Sequence, residues 1–247
     1  MVDIHTHILP GIDDGARDIY DTLEMARIAV ENGTTDMVAT PHCNIPGRYQ
    51  NYFGREYKEV FLKARKAIQE EGIPLRLYPG MEVYMTEEVP DLMAEGKIMP
   101  INGSHYVLLE FGFDEDPEFA ELMLRKVRRM KVIPLIAHVE RYHFVQDDPD
   151  IIARWKKIGY AIQCNKGSFQ GKFGKAEKRT AHELLDRQLV SVVASDAHRP
   201  NIRTPRLEDA YEELALEYPI EYLDQIFDIF PGRICKDQSI ILKKKVK

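Results

Sequence analysis

Long apolar runs and cysteine-rich segments are both absent from the 247-residue chain. A membrane-spanning helix needs roughly 18 to 20 consecutive apolar residues, and a signal peptide needs a charged stretch followed by an apolar one. Neither pattern occurs. The cysteines Cys43, Cys164 and Cys235 are odd in number and far apart, which indicates no disulfide framework. We therefore expect a cytoplasmic protein with no membrane insertion.

An excess of basic charge is also missing, since the formal net charge is −6 at pH 7. Nucleic-acid binding requires a basic surface that neutralises phosphates, so the composition argues against a nuclease or a general nucleic-acid partner. The terminal run "LKKKVK" is the exception, and a short charged terminus is typical of a solubilising tail.

Short apolar runs alternate with longer amphipathic stretches along the chain. Such alternation predicts an α/β protein with a parallel sheet, and about seven units without a linker favour closure into a distorted (β/α)7, TIM-barrel-like barrel in one domain, residues 1–247. The predicted strands are Met1–His5, Asp36–Thr40, Leu75–Glu82, Tyr106–Glu110, Val132–His138, Tyr160–Cys164 and Val190–Ser195. The predicted helices are Tyr20–Asn32, Tyr52–Glu71, Pro117–Met130, Asp150–Ile158, Ala176–Arg187 and a helical region over Pro205–Phe230.

Side chains that can bind metal ions follow these strands. His5 and His7 are two residues apart in "VDIHTHILPGIDDG", so a strand points both to one face. In a parallel barrel the carboxyl ends of all strands meet at one mouth, where distant residues converge. The residues expected there as metal ligands are His5, His7, Asp14, His42, Glu82, Glu110, His138, Asp196 and His198.

This set is too large for one tetrahedral ion, so two or three ions that share carboxylates are expected. Nitrogen and oxygen ligands without thiolate fit Mn, Fe or Zn better than Ca or Mg, and ligand type alone does not select among these three metals. Asp13 neighbours Asp14, but adjacent side chains diverge, so Asp13 is interpreted as a turn residue or as a partner of a ligand.

Two arginines follow the predicted ligands closely. Arg141 comes three residues after His138, and Arg203 five residues after His198. A guanidinium beside such ions can hold phosphate oxygens bidentately, and a cluster of divalent ions activates water for phosphoryl hydrolysis. Arg199 and Arg206 are alternatives to Arg203 for this role.

Six motifs together resemble the polymerase-and-histidinol-phosphatase (PHP) superfamily of metal-dependent phosphoesterases: "DIHTHILPGIDDG", "VATPH", "PGMEV", "LLEF", "IAHVERY" and "ASDAH". Within it, the "LPGIDDGA" turn and "AHVERY" are similar to the capsule and exopolysaccharide protein-tyrosine phosphatases, the CpsB/YwqE group. That resemblance implies a seven-stranded distorted barrel, typically with three manganese ions. It also implies a cytoplasmic hydrolase acting on phosphotyrosine, with the tail of a bacterial tyrosine kinase as partner.

The resemblance further implies a division of the ligands and a mechanism. His5, His7, Glu82 and Asp196 would surround one ion, Glu82, Glu110 and His138 a second, and Asp14, His42 and His198 a third. A metal-bound hydroxide would attack phosphorus while Arg141 and Arg203 offset charge on the phosphate oxygens. His42 or His198 could assist proton transfer through water.

Alternative functions remain open at this point. A cysteine-based phosphatase needs five residues between cysteine and arginine, whereas four separate Cys43 from Arg48, so that mechanism is disfavoured. A histidinol-phosphate or other small phosphomonoester phosphatase would share the barrel, and a non-catalytic kinase-binding module is a further alternative. Aromatic residues that could seat a phosphotyrosine ring are Tyr49, Tyr52, Phe53, Phe113 and Tyr142.

Overall fold

A curled parallel sheet lies at the centre of the fold, which a computed structural model describes for residues 1–241. The predicted basic tail begins at residue 242 and lies outside the described residues, as do the last six positions of the predicted domain. The strands are β1 (Val2–Thr6), β2 (Asp36–Ala39), β3 (His42–Cys43), β4 (Arg76–Pro79), β5 (Glu82–Tyr84), β6 (Tyr106–Glu110), β7 (Ile133–Ile136), β8 (Ala161–Asn165) and β9 (Val192–Ala194).

These nine segments occupy seven positions around a distorted barrel. The pairing runs β1-β2-β4 in one sheet and β3-β5-β6-β7-β8-β9 in the other, all parallel, and β3 and β5 follow directly on β2 and β4. The last strand returns to the first, because Thr6 bridges Ala197 and the Asp196 amide donates to the His5 carbonyl at 2.9 Å. The α/β barrel predicted from the sequence is confirmed.

The predicted third strand, Leu75–Glu82, is broken between β4 and β5, and the predicted second strand is followed by the separate short strand β3, details that the apolar pattern did not indicate. Gly80 lies at the break, where a Cβ atom would come within 2.8 Å of the Val38 side chain. The Tyr57 hydroxyl donates to the Gly80 carbonyl at 2.8 Å and accepts from its amide at 3.1 Å. A buried backbone break costs little when its polar groups are paired in this way. Consequently Glu82 begins β5 rather than ending a strand.

Helices and short turns surround the sheet. The helices are α1 (Ile19–Glu31), α2 (Arg55–Glu70), α3 (Val89–Ala94), α4 (Pro117–Arg129), α5 (His143–Asp147), α6 (Asp150–Ile158), α7 (Lys166–Phe169), α8 (Lys175–Asp186), α9 (Leu207–Ala215), α10 (Ile220–Asp224) and α11 (Phe230–Cys235). A π-helical stretch, Gln225–Ile229, joins α10 to α11, and 3₁₀ turns span Ile101–Gly103 and Val139–Arg141. None of the helices in the described part of the chain is long and apolar enough to cross a membrane.

Local sequence explains where several helices begin and end. Asp18 caps α1 by accepting from the amides of Tyr20 and Asp21, and Asp116 caps α4 directly before Pro117. The predicted helical region over Pro205–Phe230 is interrupted between α9 and α10, where Pro219 adopts an extended conformation. A proline disfavours helical geometry in the residue before it, which accounts for the break.

The barrel has its own apolar interior, separate from the layer between sheet and helices. Side chains that fill it include those of Ile4, Val38, Leu108, Leu135 and Val192, and all are fully buried. Ile101 and Ile234 close one end of this interior. The other end is therefore where polar side chains can gather.

Candidate metal centre

Glu82 is the centre of a buried cluster of imidazoles. Its carboxylate oxygens lie 3.1 Å from His5 Nε2, 3.2 Å from His7 Nε2, 3.0 Å from His42 Nδ1 and 2.9 Å from His138 Nε2. These residues come from four separate parts of the chain, namely β1 with the residue that follows it, β3, β5 and the turn after β7. The Glu82 side chain is 1% exposed, so its charge needs compensation inside the protein.

Further carboxylates extend the cluster toward solvent. Asp14 Oδ1 lies 3.5 Å from His42 Nε2 and 3.6 Å from His198 Nε2. Glu110, the last residue of β6, places Oε1 3.3 Å from His42 Nδ1. His42 thus has Asp14 at its Nε2 atom and both Glu82 and Glu110 at its Nδ1 atom.

Asp196 closes the cluster from the strand that precedes β1 around the barrel. Its Oδ1 lies 3.5 Å from His5 Nε2 and 3.4 Å from His7 Nε2. All nine residues predicted as ligands from the sequence therefore converge at one mouth of the barrel, as the topology of parallel strands requires.

The donor set fits divalent metal ions. Three groups have ligand atoms within 4.8 Å of one another, namely His7, Asp14, His42 and His198, then His5, His7 and Asp196, and then His42, Glu82 and Glu110. Several of their buried atoms have no hydrogen-bond partner within residues 1–241, among them His5 Nε2, His7 Nε2, Asp14 Oδ1, His42 Nδ1, Glu82 Oε2 and Glu110 Oε1. Buried polar atoms are rarely left unpaired, so cations are the partners that this arrangement suits.

Asp13 lies directly behind His7. Its Oδ2 atom is 2.7 Å from His7 Nδ1 and accepts from the His42 amide at 3.0 Å, while Oδ1 accepts from the Gly15 amide. Burial alone would lower the pKa of His7, but the Asp13 and Glu82 carboxylates raise it to about 10. The sequence interpretation of Asp13 as a ligand's partner agrees with this position, which orients His7 so that Nε2 faces the cluster.

The two outer histidines have opposite electrostatic surroundings. Burial would lower the pKa of His42, but the carboxylate of Glu82 counters it and the pKa rises to about 9. For His198, burial and the neighbouring His7 lower the pKa to about 2, so its imidazole is neutral. A neutral imidazole is the form that binds a metal ion, and a bound cation would replace the proton on the other.

Two amide side chains on β8 form hydrogen bonds that connect several of the ligands. Gln163 Oε1 lies 3.1 Å from His5 Nδ1 and accepts from the His138 amide at 2.8 Å. Asn165 Nδ2 donates to Asp196 Oδ2 at 2.6 Å, and its Oδ1 accepts from Gln163 Nε2 at 2.8 Å. Both amides are fully buried. The pair thereby fixes the orientation of ligands from three different strands, a contribution that motif reading did not identify.

Replacing Asn165 with leucine is expected to lower the affinity for Mn²⁺ by about 10- to 100-fold, because Asp196 loses the hydrogen bond that orients it. Metal titration by calorimetry, with thermal unfolding beside it, measures the effect. Asn32→Leu is the matched control, since the Asn32 amide donates only to a backbone carbonyl at the end of α1. An unchanged affinity in the Asn165 variant would contradict the assignment.

Backbone strain coincides with the cluster. His138, Asp196 and Arg203 all have positive φ, at 32°, 50° and 51°. For residues other than glycine such conformations cost about 1–3 kcal/mol, and they persist where the surrounding structure imposes them. These turns aim the three side chains into the mouth instead of along the strand direction.

The two predicted arginines lie at the edge of the cluster. Arg203 donates to Asp196 Oδ2 and stands 3.2 Å from His198 Nε2, and Arg141 Nη1 is 3.9 Å from Asp196 Oδ2. Burial and the charge of Arg141 lower the pKa of Arg203 to about 10, so it stays charged at neutral pH. Arg199 and Arg206 do not line the cleft.

An open cleft of about 410 Å³ lies over the cluster. Ile45, Arg48, Tyr84 and Phe113 form its outer wall together with both arginines. Of the aromatic residues considered from the sequence, Phe113 is here with 40% of its surface exposed, whereas Tyr142 is fully buried. The wall is wide enough and apolar enough for an aromatic ring beside the cluster.

Tyr49, Tyr52 and Phe53 take other positions. Tyr49 stacks on the His42 ring with centroids 5.7 Å apart, so it borders the cluster without lining the cleft. Tyr52 and Phe53 pack against the hydrophobic core, and the Tyr52 hydroxyl donates to Asn44 Oδ1.

Changing Cys43 to serine is expected to leave turnover of a phosphotyrosine peptide within about twofold of the parent protein. The thiol is fully buried and donates to the Gln50 carbonyl, and burial raises its pKa to about 12, so no thiolate forms at neutral pH. A steady-state rate measurement checks this. Loss of turnover in a variant that keeps its melting temperature would reinstate a cysteine mechanism.

Comparison with known proteins identifies the family. The sequence model described as capsular polysaccharide synthesis, CpsB/CapC, matches residues 1–236. The chain belongs to this family. The resemblance stated from the motifs is thereby confirmed.

Individual relatives agree with this membership. The chain is 37% identical over 221 residues to the tyrosine-protein phosphatase YwqE of Bacillus subtilis (strain 168), covering 90% of this chain and 86% of that protein. It is 32% identical over 225 residues to the putative tyrosine-protein phosphatase CapC of Staphylococcus aureus, covering 91% and 87%.

A solved structure extends the likeness to the whole fold. It comes from crystal structures of YwqE from Bacillus subtilis and CpsB from Streptococcus pneumoniae, described as metal-dependent tyrosine phosphatases. The TM-score is 0.90 at 34% identity, with 99% of this chain and all of that chain covered.

Proposed function

We propose that this chain is a metal-dependent protein-tyrosine phosphatase in which one domain, residues 1–247, carries the whole site. The observation that carries the proposal is the convergence of nine ligand-type side chains and two arginines under one open cleft. Family membership and the names of the relatives support the same activity. The proposed natural substrate is a phosphotyrosine-bearing bacterial tyrosine kinase, and the proposed compartment is the cytoplasm.

The proposed ligands are divided as the resemblance implies. His5, His7, Glu82 and Asp196 would hold one ion, Glu82, Glu110 and His138 a second, and Asp14, His42 and His198 a third, with Mn²⁺ as the proposed metal. The mixture of imidazole and carboxylate atoms, with no thiolate near, is the chemistry that supports this metal class. Such ions make water acidic enough to attack at neutral pH and offset the charge of a phosphate.

The chain's own groups bind and orient the substrate. Arg141 and Arg203 donate N–H groups to phosphate oxygens, and their charge offsets the negative charge that grows as phosphorus is attacked. Both guanidiniums already line the cleft, with side chains 20% and 28% exposed. Because they stand on the same side as Asp196, a phosphate held by them lies against the ligand cluster.

The outer wall of the cleft receives the leaving group. Ile45, Tyr84 and Phe113 can enclose a phenyl ring and exclude water around it. Phenol has a reference pKa of about 10, so the departing phenolate needs no strong general acid. His42 and His198 lie beside the cleft and are proposed to exchange protons through water.

Phosphate release from a phosphotyrosine peptide, with Mn²⁺ and then with excess chelator, tests the proposal. We expect release that depends on added metal and stops on chelation. Histidinol phosphate serves as the competing substrate, and faster turnover of it would assign the chain to small phosphomonoesters. Absence of metal-dependent release from either substrate would favour the non-catalytic, kinase-binding alternative.

A further inference from the structure

Phe173 contacts both cleft arginines. The centroid of its ring lies 4.7 Å from Arg141 Cζ and 5.4 Å from Arg203 Cζ. Phe113 lies 4.3 Å from Arg141 Cζ and contacts only that arginine. Distances under about 6 Å between a cation and a ring centroid are those of attractive cation–π pairs. One aromatic side chain is thus shared by the two guanidiniums assigned to the phosphate.

The Phe173 ring packs against glycine backbone and lies outside the hydrophobic core. Phe173 belongs to neither hydrophobic cluster of the described chain. It lies instead against the backbone of Gly167 in α7, where a Cβ atom would come within 2.8 Å of Phe173 Cε2. Gly171 and Gly174 flank the ring with φ of 72° and 141°, conformations that favour glycine. Three glycines therefore shape the segment that presents this one ring.

The ring can reduce the electrostatic repulsion between the two arginines. Their like charges repel when the side chains approach each other, and this repulsion is greatest before any phosphate is bound. Arg203 also has a buried Nε atom without a hydrogen-bond partner among residues 1–241. An aromatic face supplies partial negative charge without accepting a proton or competing for a metal ion.

We propose that Phe173 is a positioning residue that holds Arg141 and Arg203 together in the geometry that receives the phosphate of a monoester. The inference rests on the proposed phosphatase function and deepens it. Phe173 does not line the cleft, so its effect on the phosphate passes through the arginines that it contacts. Its aromatic face, and not its bulk alone, is what the position requires.

The test compares an aliphatic with an aromatic replacement in the full chain. Phe173→Leu keeps apolar volume but removes the ring face, whereas Phe173→Tyr keeps it. We expect Phe173→Leu to weaken binding of inorganic phosphate to the Mn²⁺-loaded protein by about 5- to 30-fold, the equivalent of one or two cation–π contacts. The KM for a phosphotyrosine peptide should rise by a similar factor, and Phe173→Tyr should stay within about twofold of the parent.

Controls separate this role from a structural one. Phe119→Leu is the matched control, because Phe119 is a partly buried aromatic residue on α4 that packs against the core. Bound Mn²⁺ and melting temperature are measured for every variant and should not change with phosphate affinity. Equal phosphate binding by the parent and Phe173→Leu overturns the proposal, and so does equal weakening by leucine and tyrosine. A parent protein that binds phosphate but releases none from any monoester overturns the proposed function alone.

Discussion

Glu82→Gln is expected to lower metal-dependent release of phosphate by at least about a thousandfold and to reduce the amount of bound Mn²⁺. The change keeps the shape of the side chain but removes the charge that faces His5, His7, His42 and His138 within 3.2 Å. An amide cannot bridge two cations, since it offers one oxygen and no negative charge. Rate measurement and elemental analysis of the dialysed protein check both parts.

Glu87→Gln is the matched control for this variant. Glu87 lies on the exposed turn before α3 and contributes no ligand atom to the described cluster. The same glutamate-to-glutamine change is therefore made away from the candidate site. The control should keep full activity and metal content. Retention of full metal content and rate by Glu82→Gln would remove the central ligand from the proposal. Circular dichroism would show whether Glu82→Gln has lost its fold. In that case Glu82→Asp, which keeps the charge but shortens the side chain, is compared with the parent for rate and metal content instead.

The position of the candidate site was predictable because it depends on topology more than on detail. Once His5, Glu110 and His138 are assigned near strand ends, a parallel barrel brings them together whatever the loops do. The strand boundaries themselves did not have to be right. Glu82 lies at the start of a short strand, yet it still reaches the mouth because β4 and β5 follow the same path.

Other features depend on packing that no local pattern records. The break at Gly80 is possible because the distant Tyr57 hydroxyl pairs the freed backbone groups. Gln163 and Asn165 read as ordinary strand residues until their partners on other strands are known. Tyr142 was one of the aromatic residues predicted to seat a phosphotyrosine ring, but it is buried and its hydroxyl accepts from the Phe111 amide. In each case the deciding contact joins residues more than twenty positions apart.

Arg141→Ala is expected to reduce kcat/KM for a phosphotyrosine peptide by about 100- to 1,000-fold while bound metal stays constant. Arg141 is the better of the two arginines for this test. Arg203 also donates to Asp196 and approaches His198, so its removal would disturb proposed ligands as well as the phosphate. The nearest carboxylate to Arg141 is 3.9 Å away, which is a loose contact. Loss of rate without loss of metal therefore isolates the phosphate-binding role.

Two further substitutions refine the result for Arg141. Arg141→Lys restores a charge but not the planar fork that pairs two phosphate oxygens, so it should recover only part of the lost rate. Arg199→Ala removes a guanidinium from the same loop as Arg203 but outside the cleft, and it should leave kcat/KM within about threefold of the parent. If Arg199→Ala were the more damaging change, the phosphate would be held from the other side of the loop. The sequence alone left that possibility open, and the position of Arg203 over Asp196 argues against it.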